Sequence, residues 1–267
     1  MGFRWFSPVL LALCAVACGA EEAEGGATEE PIVDGKVERG FEAAGLLQTN
    51  GLGFCSGVLI DRDIVLTAAH CVLDPSGDPV VPKAFYLGNG RVTRTSNVPS
   101  SLRKFTAKRA AAYGEILDIE TDACPHETPD VALVQLADPV DDVEPAKIAD
   151  LPELGTKCTV VGYGRHVSTT KDEGISRFRR RSATLTFEEI FPQAIRMKRV
   201  SGVSNSGDSG GPLFCNGTVV GVVSCGTVDP EVETDDPAAL DDYYARVWTV
   251  KSRIQSHITR WHNADNK

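Results

Sequence analysis

From Ile32 onward the chain consists of short apolar runs, most of them four to six residues long, cut by turn signals. Gly57-Val58-Leu59-Ile60, Ile64-Val65-Leu66, Val131-Ala132-Leu133-Val134, Thr159-Val160-Val161-Gly162 and Val219-Val220-Gly221-Val222-Val223 are examples, rich in Val, Ile, Leu and Thr. Runs of this length and make-up suit strands buried on one or both faces, and many of them together predict a sandwich or barrels. Asn216-Gly217, set between two such runs, is the signal of a type I′ hairpin turn. Asn216-Gly217-Thr218 is formally also a glycosylation sequon, but the hairpin is the better reading. Only the end looks helical: Val250, Ile254, Ile258 and Trp261 fall at i, i+4, i+8 and i+11 and form one apolar stripe. The basic run from Arg177 to Arg181, broken only by Phe178, is expected to be a solvated loop or an edge strand whose charges oppose self-pairing.

The charge balance excludes one class of partner. Of 267 residues 37 are acidic and 27 basic, a net −10, which argues against a nucleic-acid partner, whose phosphate backbone calls for a basic surface. A hydrophobic content of 42% is ample for a core, and no stretch approaches the ~20 apolar residues that span a bilayer as a helix. Residues 1–17 are expected to be a signal peptide, with Arg4 as the positive start and Val9 to Ala17 as the apolar stretch. Ala15-Val16-Ala17 fits a small-x-small cleavage site. Ala15-Val16-Ala17-Cys18 also resembles a bacterial lipobox, in which Cys18 is lipidated. Residues 18–31 are expected to be an acidic tether or propeptide. The chain is therefore expected to be exported, either secreted or lipid-anchored on a bacterial envelope, with no membrane contact beyond a lipid on Cys18. Without Cys14 and Cys18, six cysteines remain, an even number that an oxidising compartment favours.

Three segments carry the chemistry: Leu66-Thr67-Ala68-Ala69-His70-Cys71, Asp130-Val131-Ala132-Leu133-Val134 and Ser206-Gly207-Asp208-Ser209-Gly210-Gly211-Pro212. In this order and spacing they resemble the trypsin-like (chymotrypsin-fold) serine proteases, in a bacterial secreted or lipoprotein form, from Ile32 to about Asn263. The resemblance implies an all-β fold of two six-stranded antiparallel β-barrels with a C-terminal α-helix. It implies a protease domain over 32–267, with barrels over about 32–145 and 146–249 and the helix over about 250–263. It implies a serine endopeptidase, in which a serine hydroxyl, a poor nucleophile alone, is activated by a neighbouring base. His70 is the base for Ser209, Asp130 orients His70, Ser224 supports Asp130, and the amides of Gly207 and Ser209 form the oxyanion hole. Gly207-Asp208-Ser209-Gly210-Gly211 also fits the G-x-S-x-G elbow of α/β-hydrolases. That rival needs alternating helices and leaves the His70 segment unexplained. A second rival is a catalytically silent relative that only binds partners; an intact His70, Asp130 and Ser209 argues against it.

The resemblance carries further expectations. Ile32-Val33-Asp34-Gly35 resembles the family's mature start, whose freed amino group pairs with the aspartate before the serine, here Asp208. The preceding residues are Glu29-Glu30-Pro31, with no Arg or Lys. Either an unknown protease releases Ile32 from a zymogen, or the amino group is never freed. Cys55–Cys71 and Cys158–Cys215 match family bridges, and the remaining Cys124 and Cys225 are expected to pair beside the substrate channel, two free thiols being the alternative. In the primary pocket, Val203 is the floor, Ser204 and Gly226 line it, and Asp242 falls on the wall opposite Gly226. Asp242 is expected to meet a basic substrate side chain, with a small or medium apolar residue over Val203 as the runner-up. Substrates are proteins or peptides, the chain is expected to be monomeric, and no cofactor and no metal site is expected.

Overall fold

Among the described residues there are thirteen strands, most of them from the apolar runs, and the final stripe becomes a helix. This computed structural model describes residues 1–2, 36–37, 40–51, 53–90, 92, 98, 100–114, 124, 127–164, 179–202, 204–226 and 242–267. Residues 3–35, with most of the leader, Cys18 and Ile32, and also Val203 and residues 227–241, lie outside the described residues.

Six strands close the first barrel: β2 (Ala44–Gln48), β3 (Phe54–Asp61), β4 (Ile64–Thr67), β5 (Ala84–Leu87), β6 (Arg103–Ala112) and β7 (Ala132–Leu136). Their spatial order is β2-β3-β4-β7-β6-β5, every pair antiparallel. The second barrel is built from β8 (Lys157–Gly162), β9 (Arg181–Ile190), β10 (Ala194–Arg199), β11 (Pro212–Cys215), β12 (Thr218–Gly226) and β13 (Asp242–Arg246). It runs β9-β10-β13-β12-β11-β8 and closes through β8–β9. Between β11 and β12 the chain reverses at Asn216 and Gly217, with φ of 51° and 78°, as a type I′ turn requires.

β1 (Lys36–Val37) departs from the expected division, because it pairs with β9 of the second barrel rather than with the first. β10 covers β9 only from Leu185 onward, so the first residues of β9 offer an open edge, and β1 fills it.

One core cluster joins the barrels. Ile64, Val65 and Leu66 lie in it together with Val161, Phe214, Val222 and Ala245, so β4 is buried on both faces. A leucine in such a position is worth about 2–5 kcal/mol against alanine. The helix α1 (Lys251–Asp265) lays Ile254, Ile258 and Trp261 against the same cluster. It runs past the expected end at 263 because Asp265 is tied to the first barrel: Lys108 Nζ lies 2.6 Å and Gln135 Nε2 3.0 Å from its carboxylate, and Arg109 also bonds it. No described helix is long and apolar enough to cross a membrane.

The basic run is corrected at its end. Arg180 and Arg181 are buried, not solvated. Arg180 donates to the Ala44 carbonyl at 3.4 Å, and Arg181 opens β9 on its core side.

Candidate active site

The ladder between β4 and β7 explains why His70 and Asp130 meet. Thr67, at the end of β4, faces Ala132, at the start of β7. His70 follows the first in a short 3-10 turn, Ala69–Cys71, and Asp130 precedes the second. The Cys55–Cys71 bridge anchors that turn to β3, with a Cα–Cα separation of 6.2 Å. His70 Nδ1 lies 2.8 Å from Asp130 Oδ2, and the His70 backbone N–H donates to Asp130 Oδ1 at 3.1 Å. Ser224, on β12, donates its hydroxyl to Asp130 Oδ2 at 2.7 Å.

Two opposed effects set the charges. Burial pulls the half-buried His70 imidazole down, but the Asp130 charge and hydrogen bond outweigh it and hold His70 above its ordinary value. Burial pushes Asp130 up, while the His70 charge and the bonds from His70 and Ser224 bring it below the ordinary carboxylate value. An ionised carboxylate only accepts hydrogen bonds. His70 Nδ1 must therefore carry a proton, which leaves Nε2 of the neutral ring as a base.

Ser209 sits in the turn that enters β11. Its carbonyl accepts from Ser56 N–H at 2.8 Å, and Gly210 N–H donates to the Val223 carbonyl at 2.8 Å. Gly210 lets the loop lie on the His70 segment, since a Cβ there would stand 2.1 Å from Thr67 Oγ1. The described hydrogen bonds do not include one between Ser209 and His70. Gly207 has φ of +96°, a conformation that favours glycine. Around it the peptide groups are pinned: Ser56 Oγ donates to the Gly207 carbonyl at 2.9 Å, and Gly211 N–H to that of Asp208 at 2.7 Å. Among the described residues the amides of Gly207 and Ser209 donate to nothing. Two such amides are suited to receive an oxyanion.

Asp208 is fully buried, accepting from Gly164 N–H at 2.6 Å and Asn205 N–H at 3.0 Å. Burial pushes its carboxyl up to about 7; the two amides and Arg181 act downward and Asp242 upward. Asp242 is 0% exposed and paired with the exposed Gly226 across β12–β13. It accepts from Ser204 N–H at 2.8 Å, Ser204 Oγ at 2.9 Å and Tyr244 OH at 3.1 Å. Burial, then Asp242, push the Tyr244 hydroxyl well above its usual value. Among the described residues three disulfides are present: Cys55–Cys71, Cys158–Cys215 and Cys124–Cys225, the last two with Cα–Cα separations of 4.4 and 5.9 Å. Cys55, His70 and Cys71 bring ligand-type atoms within 4.8 Å of one another, but both sulfurs are disulfide-bonded and cannot hold a metal.

Sequence reading missed Ser56, which bonds Gly207 and receives Tyr163 N–H at 2.9 Å, and it missed Tyr244. Gly162 and Gly164 gave a usable signal: glycines two apart at a strand end mark the close approach of another group, here Asp208.

The family profile described as Trypsin matches residues 35–254. The chain belongs to the trypsin family. Mast cell protease 8 of Mus musculus is 28% identical over 192 residues, covering 64% of this chain and 68% of that one. Kallikrein 1-related peptidase b27 of Mus musculus is 26% identical over 230 residues, 76% of this chain and 84% of its own. Among solved structures, the atomic-resolution structure of HBP superposes with a TM-score of 0.62 at 24% identity, covering 85% of this chain and 96% of that one. Neuropsin, a serine protease expressed in the limbic system of mouse brain, gives 0.60 at 20% identity, with 85% and 99% covered. At these identities the structural likeness is one of fold. The two-barrel trypsin-family architecture is thereby shared, while the relatives named here do not establish a bacterial type.

Proposed function

We propose that the chain is a serine endopeptidase that cleaves peptide bonds through an acyl-enzyme on Ser209. The reading is carried by Asp130, whose Oδ2 meets the His70 ring at 2.8 Å and the Ser224 hydroxyl at 2.7 Å. His70 Nε2 takes the Ser209 proton as Oγ attacks the substrate carbonyl carbon. The carbonyl electrons move onto oxygen, which the Gly207 and Ser209 amides receive, each such donor being worth about 3 kcal/mol. Collapse expels the amine with the proton from His70. Water, deprotonated by the same ring, then releases the acid.

Both Asp242 oxygens already hold donors from Ser204 and Tyr244. This supports Asp242 as a brace behind the pocket wall, with a small or medium apolar P1 residue over Val203, in place of a direct pair with Lys or Arg. Residues 1–17 and the acidic stretch to Pro31 support export, by cleavage after Ala17 or lipidation of Cys18.

A fluorophosphonate probe tests the activity. The wild-type chain labels and Ser209→Ala does not; a wild-type chain that never labels overturns the reading in favour of a binding protein. A peptide library tests the pocket, and cleavage chiefly after Arg or Lys would return Asp242 to the role of substrate anchor.

A further inference from the structure

β9 places an arginine where a barrel strand normally places an apolar residue. Ala183, Leu185 and Phe187 point into the core of the second barrel. Arg181 continues that alternation and is 4% exposed. Across the β8–β9 ladder Leu185 faces Cys158, Ala183 faces Val160 and Arg181 faces Gly162. Directly opposed residues share one face of a sheet. At Gly162 that face is occupied: a Cβ there would lie 2.1 Å from Asp208 Oδ1, and one on Gly164 2.3 Å from Asp208 Oδ2. Arg181 is thus directed to the side on which the Asp208 carboxylate lies. Asp208 and Asp242 are both fully buried. Buried carboxylates need a cation, and arginine stays charged at any working pH. Burial raises the Asp208 carboxyl to about 7, and the charge of Arg181 acts against that rise.

No basic residue precedes Ile32 in Glu29-Glu30-Pro31, so tryptic cleavage does not free its amino group. We propose that Arg181 is a positioning residue: it is the internal counter-charge of Asp208, and it keeps the Gly207–Ser209 loop ordered while Ile32 remains joined to Pro31. This rests on the serine-hydrolase reading above. An ionised Asp208 accepts both the Gly164 and Asn205 amides, and Asn205, Asp208 and Gly211 are linked in turn by backbone bonds. A protonated Asp208 would present one oxygen as a donor to an amide that also donates.

The test compares two forms of the exported chain, one with residues 19–31 intact as read by mass spectrometry, the other cut to begin at Ile32 through a site engineered in place of Pro31. The rate of fluorophosphonate labelling at Ser209 is measured in each. The intact form is expected to label within about threefold of the cut form. Arg181→Met in the intact form is expected to slow labelling about a hundredfold, the size of losing one oxyanion donor. Arg181→Lys, or release of Ile32 in the Arg181→Met chain, should restore most of it, which a merely structural defect would not allow. An intact form that stays silent while the cut form labels overturns the proposal, as does Arg181→Met labelling at the wild-type rate. If neither wild-type form labels, the serine-hydrolase reading itself fails. Should Arg181→Met not fold, Arg181→Met with Asp208→Asn removes both charges, and thermal unfolding decides. A double variant more stable than Arg181→Met supports the pair, and one no more stable overturns it.

Discussion

Ser224 Oγ and His70 Nδ1 converge on a single oxygen, Asp130 Oδ2, at 2.7 and 2.8 Å. The three side chains come from separate parts of the chain, and their shared oxygen fixes both the tautomer and the charge of His70. Because His70 is held above its ordinary 6.5, kcat/KM should rise with pH through a midpoint above that value. A raised histidine stabilises the fold fully below its unfolded value and loses that contribution as pH rises through the folded one. Asp130, being lowered, contributes above 3.8 and loses its share as pH falls through its folded value. Asp130→Asn should move the kinetic midpoint down and reduce kcat about 10⁴-fold through the wrong tautomer. Ser224→Ala, which leaves a buried carboxylate short of one donor, should cost about 1–3 kcal/mol. A pH–rate profile of the wild type and of Asp130→Asn checks the kinetic statements, and denaturant unfolding checks the Ser224→Ala loss.

Asp242→Asn keeps the volume but brings an NH₂ group either against the Ser204 hydroxyl, at the Oδ1 position, or against both the Ser204 N–H and the Tyr244 hydroxyl, at the Oδ2 position. At least one of the three donors that now meet the carboxylate loses its acceptor. The expected loss is about 1–3 kcal/mol, or about 2–4 °C in Tm per kcal/mol for a domain of this size. Calorimetric melting measures it; an unchanged Tm would show that the carboxylate is not a brace.

Cys124 and Cys225 are 101 residues apart, and Cys225 follows Ser224 directly. Closing so long a loop should contribute about 2–5 kcal/mol, so Cys124→Ser with Cys225→Ser should lower the denaturant midpoint accordingly. If the bridge also walls the substrate channel, KM for extended peptides should rise more than KM for a small ester.

Asp265 holds the end of α1 on the first barrel, and its hydrogen bond from Lys108, then those from Arg109 and Gln135, pull it down to about 2. Its contribution is present above 3.8 and is lost as pH falls toward 2. Asp265→Asn should therefore reduce stability at neutral pH and flatten the acid unfolding curve between about pH 4 and 2. An acid titration followed by circular dichroism checks this, and identical curves would count against the helix anchor.

Much of the fold was legible because its signals are local. The β-branched runs, the Asn216-Gly217 pair and the stripe of Val250, Ile254, Ile258 and Trp261 each depend on neighbours a few residues away. The end of the basic run, Arg180 and Arg181, departs from the solvated reading for the opposite reason. Alternation with Ala183 and Leu185 marks Arg181 as inward-facing, but only the approach of Asp208, from a loop outside the ladder, gives a charge reason to be there. The pairing of β1 was likewise invisible, because it depends on where β10 stops covering β9.

By itself the sequence determined the strand content, the closing helix and the three segments that contain His70, Asp130 and Ser209. Such features follow from side-chain periodicity and residue chemistry, which travel with the chain. Only the tertiary structure decided that Asp242 is sealed behind Ser204 and Tyr244, that Ser56 bonds Gly207, and that Arg181 is buried on the face of the ladder that Asp208 approaches. Burial, charge compensation and hydrogen-bond saturation are properties of a place, and the place exists only once distant segments have closed around it.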